Sequence, residues 1–281
     1  ICFCIIIHII MPELPEVATT IKGLNPIKKS TIVSIKIITP KLRFYIPKKI
    51  STIHKGNKII KIKRKGKYIL LYLSNLNVII IHLGMSGRLR LIKNSEFEQR
   101  KHDHFVLRTN QDHYLIFNDP RKFGFVDYTE IRNIDKKKYL TNLGIDALDN
   151  ELDSHYFYSK ICRSIVPIKQ ILIDQRIIAG IGNIYASEIL FNAKISPFKK
   201  GRELKKKECQ KIIISIRKIL NKAILAGGST LRDYVSTDGT IGSFQNDFKV
   251  YNRSGKKIGG KIIKKVNQYG RSTFYCPELQ I

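Results

Sequence analysis

Cysteines, acidic residues and long apolar runs are all scarce in this chain of 281 residues. Two of its five cysteines lie among the first ten residues, and the other three, Cys162, Cys209 and Cys276, show no paired spacing. Such an odd set argues against a disulfide framework and indicates a reducing compartment. No run reaches the ~20 apolar residues that a membrane-spanning helix needs. We therefore expect a cytoplasmic protein without a membrane partner.

The shortage of acidic residues leaves the chain strongly basic. It contains 51 Lys and Arg against 22 Asp and Glu, a formal net charge of +29. This charge is too high for a typical metabolic enzyme and favours a polyanionic partner. Ile, Lys and Asn are all abundant, as an AT-rich coding sequence would produce, so composition bias explains part of the lysine excess. The charge still attracts phosphates, whatever its origin.

The first ten residues do not resemble a targeting signal. They begin without methionine and lack the basic segment and small-residue cleavage site of a signal peptide. We interpret residues 1–10 as sequence upstream of the translation start and exclude them, with the initiator Met11, from the fold.

Removal of Met11 would make Pro12 the N-terminal residue and its nitrogen reactive. The nitrogen of Pro12 would become a free secondary amine, which can attack an aldehyde carbon and form a Schiff base. Glu13 and Glu16 would supply carboxylates for proton transfer. The alternative is that Pro15 and Glu16 merely open a helix, with proline in its first turn. The two interpretations are compatible.

Apolar patterning predicts an α+β fold. After a helix over residues 16–24, seven short strands with close turns predict a β-sandwich or barrel, covering residues 31–39, 58–65, 68–73, 78–83, 104–108, 114–118 and 123–128. Residues 144–154 are acidic and turn-rich and are predicted as a linker. Apolar spacing then predicts helices over residues 156–164, 167–174, 183–191 and 202–226. The tail returns to strands at residues 249–252, 261–266 and 272–275.

Several local motifs could carry chemistry. Two glycines precede the helix at Asn183, where free N–H groups and the helix dipole favour an anion; Asn183 could donate to that anion or cap the helix. Met85 lies on a glycine-bracketed loop and could enter a base stack, although core packing is the common role of methionine.

A second loop spans residues 119–124. There Arg121 could hold an orphaned base or a phosphate and Phe123 could stack, while Asp-Pro is also a common β-turn. Lys67 follows a basic strand, a place where lysines are usually solvated. His102 and His104 are too few for a metal site without further ligands, so we expect a phosphate contact from His102.

Taken together, these segments closely resemble the formamidopyrimidine-DNA glycosylases, bacterial base-excision enzymes for 8-oxoguanine. PELPEV, HLGMSG, KHDH, DPRKFG, GIGNIYASE and RSTFYC occur in the family's order between Met11 and about Cys276. The endonuclease VIII branch fits less well, because it typically starts with PEGPE and lacks the methionine, arginine and phenylalanine trio. The resemblance implies a bifunctional glycosylase and AP lyase that excises oxidised purines from damaged double-stranded DNA and completes β,δ-elimination.

The resemblance also implies the catalytic residues. Pro12 matches the Schiff-base nucleophile, and Glu13 matches the acid that protonates the deoxyribose ring oxygen. Lys67 matches the lysine that contacts phosphate and assists β-elimination. Arg271 matches the hairpin arginine that binds DNA and assists δ-elimination.

Five further positions match DNA-binding residues of the family. Met85, Arg121 and Phe123 match the trio that fills the gap left by the everted nucleotide. His102 and Asn183 match phosphate contacts, and Asn183 opens the helix–two-turn–helix motif. The target base must leave the stack because its glycosidic carbon is shielded there.

The implied organisation is a monomer with two domains and a terminal hairpin. Residues 12–143 would form a catalytic β-sandwich domain, and residues 144–154 would form the linker. Residues 155–248 would form the helix–two-turn–helix domain, and residues 249–281 would form the hairpin.

One departure from the family concerns its four-cysteine zinc finger. Residues 255–260 replace the first cysteine pair, and Leu279 stands where the partner of Cys276 belongs. One thiolate cannot hold a structural zinc, which takes four ligands. We therefore expect no cofactor and a hairpin like the zincless finger of some relatives. The alternatives are a weakened or inactive DNA-binding relic and, more remotely, a basic nucleic-acid-binding protein with chance motifs.

Overall fold

The computed structural model describes residues 11–229 and 242–281. Residues 1–10, interpreted as upstream sequence, and residues 230–241, within the predicted 155–248 domain, lie outside the described residues. None of the helices in the described ranges has the length and apolarity that a bilayer crossing requires.

Helix α1 (Leu14–Gly23) opens the chain and precedes two four-stranded antiparallel sheets. One sheet has the order β1-β6-β7-β5, formed by Ile32–Ile37, Asp103–Thr109, His113–Asn118 and Arg88–Lys93. The other has the order β2-β3-β4-β8, formed by Ile59–Lys65, Tyr68–Leu73, Asn77–His82 and Phe125–Glu130. A short helix α2 (Ile50–Ile53) lies between β1 and β2. The prediction of an N-terminal β-sandwich is confirmed.

The continuous apolar runs of β3 and β4 are explained by burial on both faces. Ile69 and Ile81 pack into the core shared with the other sheet. Leu70 and Ile80 point the opposite way and pack with Leu140 of helix α3 (Lys138–Thr141). Strand β5 was not predicted, because charged residues alternate with its apolar ones. Leu89 is the one residue of β5 that is fully buried.

The C-terminal half is built on a second core. It contains α4 (Ser154–Ile161), α5 (Ile168–Ile173), α6 (Asn183–Ala193) and α7 (Lys206–Leu225). The predicted linker is partly ordered, because β9 (Ile145–Asp146) pairs in parallel with β10 (Ile178–Ala179). Leu14 of α1 belongs to this second core, and its N–H donates to Gly180 O at 3.0 Å. The beginning of the chain therefore joins the two halves.

The tail departs from the prediction at two places. Residues 249–252 form bends and turns instead of a strand, because the buried Glu188 carboxylate accepts the N–H groups of Lys249, Val250 and Tyr251. The predicted strand at residues 261–266 is divided at the buried Ile263. Its parts belong to two small hairpins, formed by β11 (Lys257–Ile258) with β12 (Lys261–Ile262) and by β13 (Lys264–Gln268) with β14 (Arg271–Tyr275).

Candidate active site

The two halves of the chain border an open cleft of about 860 Å³. Its lining combines charged, amide and apolar side chains from the sandwich, the helical half and the terminal hairpin, among them Met11, Glu13, Lys67, Met85, Asn183, Tyr251 and Arg271. Most of the residues singled out from the sequence thus face a single space, although they are far apart along the chain.

Glu13 is held at the N-terminus of α6. Its carboxylate, only 2% exposed, accepts the N–H groups of Gly182 at 2.6 Å and Ile184 at 2.9 Å. Gly182 is needed there because an added Cβ would lie 2.4 Å from the Glu13 carboxyl carbon. The anion that the glycine turn was predicted to attract is therefore a carboxylate of the same chain.

Asn183 does not cap α6, which corrects one of the two roles considered for it. Gly182 occupies the cap position, and the Asn183 amide group donates to Ser272 O at 3.0 Å. Its Oδ1 atom is buried and has no partner among the described residues. Asn183 thus connects α6 to the hairpin and keeps one acceptor in the cleft wall, while its phosphate contact stays a prediction.

Burial shifts the pKa values of Glu13 and Lys67 in opposite directions. Burial raises the pKa of Glu13 to about 7, against the opposing effect of Lys67. Burial lowers the pKa of Lys67, while Glu13 and Glu16 act in the opposite direction. Lys67 is only 5% exposed, so the expectation that such a lysine is solvated is wrong for this one. Near neutral pH, Glu13 can hold a proton for transfer.

Glu16 has a structural role. Its carboxylate accepts the Glu13 N–H at 2.9 Å, the Tyr185 hydroxyl at 2.7 Å and the Ser229 N–H at 2.8 Å. These bonds fix the first turn of α1 and the exit from α7. Of the two carboxylates considered for proton transfer, Glu13 alone lines the cleft.

Pro12 is buried between Met11 and Glu13, which both line the cleft. In the chain with Met11 attached, the Pro12 nitrogen is an amide without an available lone pair. Loss of Met11 would convert that nitrogen into an amine beside Glu13.

The loops that carry Met85, Arg121 and Phe123 are joined by a carboxylate that the sequence did not single out. Asp119, 0% exposed, accepts from the Ser86 hydroxyl, from the Arg121 N–H at 3.2 Å and from the Gly124 N–H at 2.8 Å. The Asp119 side chain therefore holds both loops in place. Its position within the DPRKFG motif was the sequence signal that could have identified it.

The rim residues, Met85, Arg121 and Phe123, lie on the two loops that Asp119 joins, which we call the Asp119 junction. The Arg121 guanidinium lies 4.8 Å from the centre of the Phe123 ring, and both side chains are exposed. Gly84 is required because an added Cβ would lie 2.3 Å from Gly124 N. His102 has a φ of 71° and accepts the Asp119 N–H through its carbonyl at 3.0 Å.

Aromatic residues of the sandwich also line the cleft and were not predicted. Tyr68 lies 4.7 Å from His82 and 5.6 Å from Tyr139 between ring centres. Burial lowers the pKa of His82 to about 3, and Lys67 and Arg43 reinforce this effect. His82 is therefore neutral at ordinary pH, and its Nδ1 accepts the Gly84 N–H at 3.1 Å.

Arg271 begins β14 directly after a tight turn. Tyr269 and Gly270 both have positive φ, 51° and 73°, as in the type I′ turns that suit hairpins. Arg271 is exposed and lines the cleft, while its role in DNA binding and δ-elimination stays a prediction.

The residues near Cys276 do not fit the zinc site of the family. Cys276 is buried, and the other zinc-finger cysteine positions hold different residues. Within residues 11–229 and 242–281, no three His, Cys, Asp or Glu side chains are grouped to hold a metal. No step of the chemistry is therefore assigned to a metal.

Two family models match the chain. The formamidopyrimidine-DNA glycosylase N-terminal domain matches residues 11–126, and the formamidopyrimidine-DNA glycosylase H2TH domain matches residues 143–235. Both descriptions place the chain among the DNA glycosylases, enzymes that break the bond between a base and its deoxyribose. More particularly, the chain belongs to the formamidopyrimidine-DNA glycosylase family, as its motifs predicted.

Similar proteins and structures agree with this assignment. The formamidopyrimidine-DNA glycosylases of Wolbachia pipientis and Zymomonas mobilis are both 41% identical to the chain, over 273 and 272 residues, covering 96% of this chain and 100% of those proteins. Lactococcus lactis Fpg in complex with abasic-site-containing DNA has a TM-score of 0.87 at 33% identity, covering 95% of this chain and 99% of that one. Its complex with N7-benzyl-Fapy-dG-containing DNA also gives 0.87, at 33% identity, with 96% and 99% coverage.

Proposed function

We propose that the chain, once it begins at Pro12, is a bifunctional DNA glycosylase and AP lyase. Its substrates would be oxidised purines, such as 8-oxoguanine and formamidopyrimidines, in double-stranded DNA. The observation that supports this proposal most strongly is the buried Glu13, whose pKa is raised to about 7 beside Pro12 and Lys67. A carboxyl group that holds its proton near neutral pH is suited to general acid catalysis.

The first half of the reaction removes the base. The amine of Pro12 attacks C1′ as the bond from C1′ to the base breaks, and the base leaves with that electron pair and with the proton that the proline nitrogen gives up. Glu13 protonates the ring oxygen O4′, so the C1′–O4′ bond opens. C1′ is then double-bonded to the proline nitrogen as a Schiff base.

The second half cleaves the strand. The Schiff base acidifies the C2′ protons, and loss of one expels the 3′ phosphate by β-elimination. A further elimination expels the 5′ phosphate. Lys67, buried beside Glu13, would contact phosphate and assist the first elimination, and Arg271 would assist the second.

The rim residues would open the stack before chemistry begins. Met85, Arg121 and Phe123 would fill the gap left by the everted nucleotide, and the Asp119 junction supports their acting together. His102 and Asn183 would contact phosphates. The net charge of +29 supports binding to the DNA backbone.

The setting we propose is a cytoplasmic monomer with a metal-free hairpin. Metal analysis of the purified protein should find no stoichiometric zinc, and a chelator should leave strand cleavage intact. One equivalent of zinc, or cleavage that is lost with chelator, would contradict the metal-free hairpin.

Base release is the direct test of the proposed activity. Duplex DNA with a single 8-oxoguanine should yield the free base by chromatography and a strand break with phosphate at both ends. Duplex binding without base release would instead indicate an inactive relic.

A further inference from the structure

Two buried glutamines lie at the ends of the terminal hairpin. Gln268 is the last residue of β13, and Gln280 lies four residues beyond Cys276. Their exposed fractions are 6% and 4%. A glutamine side chain carries an acceptor oxygen and an NH2 donor, and both groups need partners when they are buried.

Gln268 connects the two strands to the body of the protein. Its Oε1 accepts the Thr273 hydroxyl at 3.1 Å, and its Nε2 donates to Pro197 O at 3.2 Å. The same Thr273 hydroxyl accepts from the buried Lys169 ammonium at 2.7 Å. The end of β13 is therefore bonded to β14 and to the loop after α6.

Gln280 makes a similar connection just beyond the C-terminal end of β14. Its Oε1 accepts the Cys276 N–H at 2.8 Å, and its Nε2 donates to Ile195 O at 2.9 Å. Ile195 and Pro197 follow Lys194, whose φ of 57° ends α6. Carbonyl groups near a helix end lack helical partners, so the glutamines bind where acceptors are available.

We propose that Gln268 and Gln280 form a clamp that fixes the hairpin against the 195–197 loop and thereby positions Arg271. The proposal rests on the proposed function, because it takes the hairpin to be metal-free and Arg271 to contact DNA. Both glutamines are positioning residues, since their bonds are to the protein itself.

The position of Arg271 depends on this clamp for a geometric reason. Gln268 and Arg271 are paired across the tight turn and form the last pair of the hairpin. A two-stranded hairpin is marginal in isolation. Apolar contacts such as Phe274 with Tyr251, 5.0 Å between ring centres, favour docking but do not fix a direction. The directional bonds of the glutamines can do so, together with the bonds that Asn183 and Lys169 donate to Ser272 O.

Cys276 provides a local measure of hairpin release. Its thiol is 0% exposed in the clamped structure, and Cys209 within α7 is 0% exposed as well. Thiol labelling with iodoacetamide, mapped by peptide mass spectrometry, would measure both residues in one sample. Labelling at Cys276 reports the hairpin, and labelling at Cys209 reports the helical core.

The test substitutes methionine, which is similar in length to glutamine but lacks its amide donor. In Gln280→Met and Gln268→Met, labelling of Cys276 should become about tenfold faster, which corresponds to about 1.4 kcal/mol, because each variant loses two buried hydrogen bonds. Labelling of Cys209 should not change. Affinity for duplex DNA with a stable abasic-site analogue should fall by the same factor as the clamped fraction, which is obtained from the Cys276 labelling rate relative to that of the unfolded chain. Gln280→Glu, which places a buried carboxylate oxygen against Ile195 O, should accelerate labelling at least as much as Gln280→Met. The exposed Gln99→Met should match the unsubstituted chain.

Three outcomes would overturn the clamp. Cys276 labelling could stay unchanged, Cys276 and Cys209 could accelerate together, or Cys276 could label as fast as in the unfolded chain while DNA affinity is retained. A separate arm adds chelator to the unsubstituted chain. Faster Cys276 labelling there would show that a metal holds the hairpin, which is a failure of the metal-free proposal and is distinguishable from a failure of the glutamines.

Discussion

Replacement of Asp119 by asparagine should uncouple the loops that open the base stack. The Asp119 carboxylate is acceptor-only, and each of its oxygens has a partner. Oδ1 accepts the Ser86 hydroxyl and the Arg121 N–H, and Oδ2 accepts the Gly124 N–H. Asparagine has one acceptor oxygen and one NH2 group. In either orientation, one donor therefore loses its acceptor. In one orientation it is the Gly124 N–H, and in the other it is the Ser86 hydroxyl, because the Arg121 N–H keeps Ser86 Oγ at 3.2 Å.

The magnitude follows from that mismatch. A buried donor left without a partner costs about 1–3 kcal/mol, which is roughly 5- to 150-fold in an equilibrium. The equilibrium between ordered and disordered loops shifts by that factor, so the fraction of protein ready to fill the gap should fall by up to that factor. The single-turnover rate of 8-oxoguanine excision should fall with it, while affinity for undamaged duplex should change little.

Single-turnover excision with excess enzyme is the assay, measured beside the thermal unfolding midpoint. Asp112→Asn is the matched control, because it removes the same charge at an exposed turn. Excision by Asp119→Asn within twofold of the unsubstituted enzyme would refute the reasoning. An equal loss in Asp112→Asn would show that net charge is the cause.

Three further predictions concern the cleft. Glu13→Gln should retain DNA binding and lose excision at every pH. In the unsubstituted enzyme, single-turnover excision should decline as pH rises through about 7, because Glu13 then loses its proton. An excision rate that stays constant above pH 7 would contradict the role of Glu13 as the acid. Met85→Ala and Phe123→Ala should each reduce excision from duplex more than non-specific binding, and a change confined to the salt dependence would reassign them to surface contact. Arg271→Ala should weaken DNA binding and strand cleavage with the unfolding midpoint nearly unchanged, and a large drop in that midpoint would mean that Arg271 mainly supports the fold.

The sequence predicted the architecture where patterning is local. The continuous apolar runs of β3 and β4 and the three- or four-residue apolar spacing of α6 are local signals, so these elements were placed within a few residues. The strand predicted at residues 249–252 was wrong because the partner of that backbone is Glu188, sixty-one residues away from Lys249. No local pattern indicates such a carboxylate.

The candidate site was predictable as a set of motifs and unpredictable as an arrangement. Glu13 and Asn183 were both identified, but the sequence could not show that Glu13 occupies the α6 N-terminus or that Asn183 bonds to the hairpin. Lys67 looked solvated because its neighbours are charged. Its burial comes from packing of the two halves against each other, which depends on the complete fold.

Borohydride trapping tests the central claim most directly. Borohydride reduces a Schiff base to a stable amine, so enzyme and damaged DNA become covalently joined. The chain that begins at Pro12 should form this adduct with 8-oxoguanine duplex, and peptide mapping should place the link on Pro12. The chain that retains residues 1–11 should form no adduct at Pro12. Equal trapping of the two chains, or a link that maps to Lys67, would contradict the account.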